Sequence, residues 1–124
     1  MLLPMTRAWP WGLAVLGDPD DRNAVPRTMG AEAVVAGEGT VVCRILHAID
    51  GEATATATLD HGADASHMLL VHEGPLELTS GLLRLGDAAN EEAVECHVVP
   101  GRYTVRVFID EFDHPTEVLF ALTR

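Results

Sequence analysis

The stretch CHVVPGRYTVRVFID, residues 96–110, decides the fold. Tyr103, Val105, Val107 and Ile109 alternate with Thr104, Arg106, Phe108 and Asp110, which is the period of a strand and not of a helix. Pro100-Gly101 reads as a turn, and residues 93–99 before it form a second strand-like run. A strand with β-branched and aromatic residues on both faces needs neighbours on either side.

Working outward, the chain supplies them. Downstream, residues 111–115 form an acidic loop and residues 117–122 (EVLFAL) a last strand. Upstream, residues 82–85 and 76–79 are short runs separated by Ser80-Gly81, and Gly74-Pro75 closes a strand at 67–72. Residues 53–59 (ATATATL) alternate alanine and threonine strictly. Alanine favours helices, but the period of two and the Asp50-Gly51 pair in front decide for a strand reached through a tight hairpin. That hairpin leads back to residues 40–48 (TVVCRILHA), with Val41, Cys43, Ile45 and His47 on one face. Residues 31–36 and 11–16 make two shorter strands. The remaining segments, 1–10 and 17–30, hold Pro4, Pro10 and an Asp- and Pro-rich run and read as irregular. The expected architecture is all-β: an antiparallel two-sheet sandwich of about nine short strands in a single domain, residues 1–124.

With 124 residues, 48% of them hydrophobic, the chain is long enough to bury a core without staples. Its charge is unusual: 19 acidic residues against 8 basic ones, all arginine, give −11. A polyanion would be repelled, which argues against nucleic acid or an anionic membrane as partner and leaves a basic protein as one that fits. Cys43 and Cys96 both fall in apolar strand-like runs, where free buried thiols are the expectation. Prolines and Arg7 interrupt the apolar N-terminus, no cleavage motif follows it, and no run is long enough to span a membrane. A cytoplasmic protein is expected.

Two stretches carry residue types suited to chemistry. His61, Asp64 and His67 lie in one short loop and would serve a small metal-dependent or hydrolytic enzyme. No nucleophile elbow accompanies them, and triad members are recognised by geometry rather than proximity in sequence. Cys43/His47 and Cys96/His97 supply metal-ligand types, yet adjacent residues on a strand point to opposite faces and no established ligand spacing occurs. No metal or cofactor is expected. Some of the carboxylates fall into three groups: Asp18, Asp20 and Asp21; Glu91, Glu92 and Glu95; and Asp110, Glu111, Asp113 and Glu117. Gathered at one end of a sandwich, they would steer a cationic partner. Asp110, Glu111 and Asp113 are the candidate contact residues. Trp9 and Trp11 are candidates for a subunit contact in an oligomer.

The segment Ser80-Gly81-x-Leu83…Gly86-Asp87, followed by Val99-Pro100-Gly101-Arg102-Tyr103-x-Val105-x-Val107, resembles the competence protein J group of small bacterial β-sandwich proteins. The run at 40–47, with its return, is similar as well, whereas Trp9-Pro10-Trp11 and the 18–29 loop match nothing in that group. The resemblance implies a sandwich in which Gly101 makes a turn and Tyr103 packs or closes a corner. It also implies a non-enzymatic binding protein of the inhibitor or immunity type, directed at a partner such as a nuclease, with no catalytic residue.

Overall fold

A computed structural model of the chain describes residues 2–21, 30, 32–59 and 65–124. Among the described residues, ten strands form two five-stranded sheets. The first contains β1 (Leu2–Arg7), β5 (Ala53–Thr58), β10 (Glu117–Thr123), β9 (Gly101–Ile109) and β6 (Leu69–Leu78), in that order. The second runs β3 (Val34–Ala36), β4 (Thr40–Arg44), β2 (Leu13–Gly17), β7 (Leu82–Asp87) and β8 (Ala93–His97). The architecture is the expected all-β sandwich.

The core follows from the alternation in β9. Tyr103, Val105, Val107 and Ile109 are buried, while Thr104 and Arg106 are exposed. Ala53, Ala55 and Ala57 of β5 turn inward in the same way, and Leu76, Leu78, Leu83, Leu85 and Phe120 complete the layer between the sheets. Tyr103 closes a corner: its hydroxyl donates to the Val99 carbonyl at 2.6 Å, across the turn where the chain leaves one sheet for the other.

Several expectations need correction. The segment 1–10 is not irregular, because Leu2–Arg7 is a strand paired antiparallel to β5. Pro4 is tolerated there because β1 lies at the edge of its sheet, where one side of the backbone has no ladder to serve. Gly74-Pro75 likewise ends no strand. β6 passes through both residues as a ten-residue edge strand with one irregularity between Leu70 and His72. Asp50-Gly51 makes no hairpin either. β4 and β5 belong to different sheets, and the 3₁₀ turn Ala48–Asp50 carries the chain across. The sandwich is not wholly antiparallel, since β5 and β10 pair in parallel.

Of the irregular segment 17–30, residues 22–29 lie outside the described residues, as do His61 and Asp64. Cys43 and Cys96 are free thiols. Strands β2 and β7 separate their strands, and three strand spacings of about 4.8 Å exceed the reach of a disulfide. Burial pushes the Cys43 thiol up to about 12, so it is inert at neutral pH. No helix among the described residues is long and apolar enough to cross a membrane.

Candidate functional site

Strand register places the loops. Arg7 pairs with Ala53, Thr54 with Glu117, and Ile109 with both Val118 and Leu69. Arg7 also bonds Asp87 at the end of β7. One end of the sandwich therefore gathers residues 8–12, 45–52, 87–92 and 110–116 with the start of β6. At the other end Gly17 pairs with Thr40 and Arg84, and Leu78 with Gly101, which collects residues 18–21, 37–39 and 79–81. The acidic groups thus form two fields. Glu91, Glu92 and the Asp110 loop share the Arg7 end, while Asp18, Asp20 and Asp21 sit at the opposite one with Glu38 and Glu77.

Within the Arg7 end the carboxylates have different roles. Asp87 is buried and structural: it accepts from the Arg7 guanidinium and from the backbone N–H groups of Glu91 and Glu92, both at 3.0 Å. Glu91 also takes an Arg7 bond at 3.2 Å, so part of this field is already neutralised. Asp110 is structural too. Its oxygens accept from the backbone N–H of Glu111, Thr116 and Glu117 and from the Thr116 hydroxyl at 2.5 Å. Burial alone would raise its pKa, but these donors outweigh it and hold the carboxyl below its ordinary value. Asp18 is held down in the same way at the other end: partial burial is outweighed by donors on Ser80, Asp20 and Thr79.

Glu111 and Asp113, by contrast, are exposed. Between them stands Phe112, 58% exposed. Ile49 and Trp11, 84% and 39% exposed, lie at the same end, as do Leu69 and Leu70 of β6. Among the described residues, five of the eight exposed large apolar side chains are therefore found here. Sequence reasoning missed this concentration because it depends on the pairing of distant strands. Trp9 is not available for a subunit contact: it is fully buried, and its indole N–H donates to the Ala53 carbonyl at 2.9 Å.

A groove of about 310 Å³ opens at this end, lined by Trp11, Leu13, Ile45, Asp50, Asp113 and Pro115 among others. His67, the one described member of the 60–67 trio, is exposed and stands 3.7 Å from Glu117. Cys43 and His47 do not share a face, because β4 ends at Arg44; Cys43 is buried and His47 exposed. Among the described residues no three His, Cys, Asp or Glu side chains are grouped to hold a metal ion.

No family model and no curated protein matches the sequence. Two solved structures share the fold. One is ComJ from Bacillus subtilis, an inhibitor of the DNA degrading activity of NucA, with a TM-score of 0.71 and 11% identity over 97% of this chain and 93% of that one. The other is described as crocagin biosynthetic gene J, with a TM-score of 0.60 and 10% identity over 98% and 96% of the two chains.

Proposed function

We propose that this protein is a non-enzymatic, inhibitor-type binding module that engages a basic protein, such as a nuclease, through the Arg7 end of its sandwich. The observation that carries the reading is the coincidence of exposed apolar anchors with exposed carboxylates there. Trp11, Ile49 and Phe112 are exposed apolar side chains of this end and Glu111, Asp113 and Asp50 exposed carboxylates of it, with Trp11, Asp50 and Asp113 lining one groove. Protein interfaces are built in this way, with a few aromatic hot spots inside a polar border. The opposite end is acidic too, but Val99 and Leu2 are its main exposed apolar residues. The fold of ComJ, which inhibits a DNA-degrading nuclease, supports the same reading.

Carboxylates on Glu111 and Asp113 would occupy the positions that DNA phosphates take on a basic nuclease surface, and the −11 charge would speed encounter. Asp110 contributes by shaping the loop. A cytoplasmic location, where unbridged thiols stay reduced, fits this role. The test is a DNA-degradation assay with basic nucleases of the source organism. Stoichiometric inhibition that weakens as salt rises from about 50 to about 300 mM is expected. Undiminished degradation by every such nuclease, or inhibition indifferent to salt, would count against the reading.

A further inference from the structure

The groove at the Arg7 end joins an exposed tryptophan to carboxylates from two separate loops. Its walls include Trp11 from the turn Pro10–Gly12, His47 and Asp50 around the turn Ala48–Asp50, and Asp113, His114 and Pro115 from the loop before β10. At about 310 Å³ it lies at the lower limit for a small-molecule pocket and has room for one inserted side chain.

The three walls are tied together by backbone. Ala48 N–H donates to Trp9 O at 3.0 Å, Ile45 N–H to Gly12 O at 3.0 Å, and Leu46 N–H to Pro115 O at 2.8 Å. The groove is therefore formed before anything binds, which lowers the ordering cost of association. Trp11 and Gly12 are both left-handed, at φ 62° and 64°. A bulky residue is rarely held in that region, and here the conformation leaves the indole partly in solvent on the groove wall. Arg44, a cation on this groove, is directed to the Gly30 carbonyl.

Charge selects the occupant. A second copy of the chain would bring −11 against −11. Trp11 beside Asp50 and Asp113 instead suits a long side chain with an apolar stem and a positive head. We infer that the groove is a docking pocket for one arginine or lysine side chain of a bound cationic protein, its stem along Trp11 and its head between Asp50 and Asp113. Arginine fits best, because its planar guanidinium both stacks on an indole and bonds carboxylates. The inference rests on the reading of this end as an interface for a basic protein and adds the residue type that enters it.

The experiment is a nuclear magnetic resonance titration of the ¹⁵N-labelled chain with a hexa-arginine peptide. The expected result is saturable shifts of the Trp11 indole N–H and of the backbone at residues 47–50 and 113–115. The buried Trp9 indole should stay still as an internal control. Trp11→Ala should weaken the peptide about 3- to 10-fold. The paired change Asp50→Asn with Asp113→Asn, at exposed positions that leave the fold intact, should weaken it at least as much. Shifts confined to residues 18–21, 38 and 77, or spread over both ends without saturation, would overturn the pocket while leaving the binding-module reading intact. An unchanged affinity in the paired variant would overturn it equally. Loss of nuclease inhibition is a separate readout and tests only the broader reading.

Discussion

Substituting Asp110 by alanine is expected to destabilise the protein, while the same change at Asp113 leaves stability within about 0.5 kcal/mol of the parent. Both carboxylates belong to one acidic loop, but the structure gives them different work. Asp110 accepts three backbone N–H groups at 3.0, 3.0 and 3.2 Å and the Thr116 hydroxyl at 2.5 Å. A net hydrogen bond to a charged group is worth about 1.5 kcal/mol or more when shielded. Asp110 is half-buried at most, so screening and the overlap of four bonds on one group reduce the sum. The nearest measured analogue is loss of an Asp cap, which costs about 0.5–2 kcal/mol. The expected loss is therefore about 1–2 kcal/mol, or a Tm lowered by about 4–10 °C for a domain of this size.

Asp110→Asn keeps one acceptor oxygen and should lose about half as much. The sign with pH follows from the lowered pKa of the folded state. The Asp110 contribution is complete above the ordinary value of 3.8 and disappears as pH falls through the folded value below it. Thermal and urea melts of the three variants at pH 7 and pH 3 are the assay. An Asp110→Ala variant that melts within about 1 °C of the parent would refute the scaffold role. So would an Asp113→Ala variant that falls as far as Asp110→Ala.

Tyr103→Phe removes only the corner bond to Val99 and should cost about 1 kcal/mol in urea melts with an unchanged m value; no loss would mean that packing alone fixes the corner. Asp87→Ala should cost about 3 kcal/mol, since it leaves the largely buried Arg7 guanidinium and two loop N–H groups without their common acceptor. A loss below about 1 kcal/mol would show that Glu91 and Glu92 replace it. His72 has a buried Nε2 with no hydrogen-bond partner among the described residues, and burial lowers its pKa from 6.5. Its neutral form therefore stabilises the fold above pH 6.5, and that contribution fades as pH falls through the lower folded value. His72→Leu should flatten the loss of stability between pH 7 and about pH 5, and identical pH slopes in the two proteins would contradict this.

The strands were legible where burial is local. The alternation in β9 and the Ala/Thr alternation in β5 are written residue by residue, because each inward position meets the core on its own account. What stayed hidden depends on neighbours far along the chain. Pro4 and Gly74-Pro75 look like breaks until β1 and β6 are known to be edge strands, where proline leaves no ladder bond unmade. Asp50-Gly51 has hairpin chemistry, yet whether two flanking strands pair or part to different sheets is decided by the partners each finds. β4 finds β2 and β3; β5 finds β1 and, in parallel, β10. The candidate site was legible as composition but not as a place. The Asp110 loop is visible as acidic, but its meeting with Trp11 and Asp50 follows from the crossover through residues 45–52, which nothing local encodes.

The most direct test of the account compares charge reversal at the two ends of the sandwich against one basic nuclease that the protein inhibits. Glu111→Arg with Asp113→Arg alters the proposed contact end, and Asp20→Arg with Glu38→Arg alters the opposite acidic field. The first pair should weaken inhibition by about 100-fold or more and the second by less than about 3-fold. Equal losses from both pairs, or a greater loss from the second, would contradict the assignment of binding to the end that carries Trp11, Phe112 and the Asp110 loop.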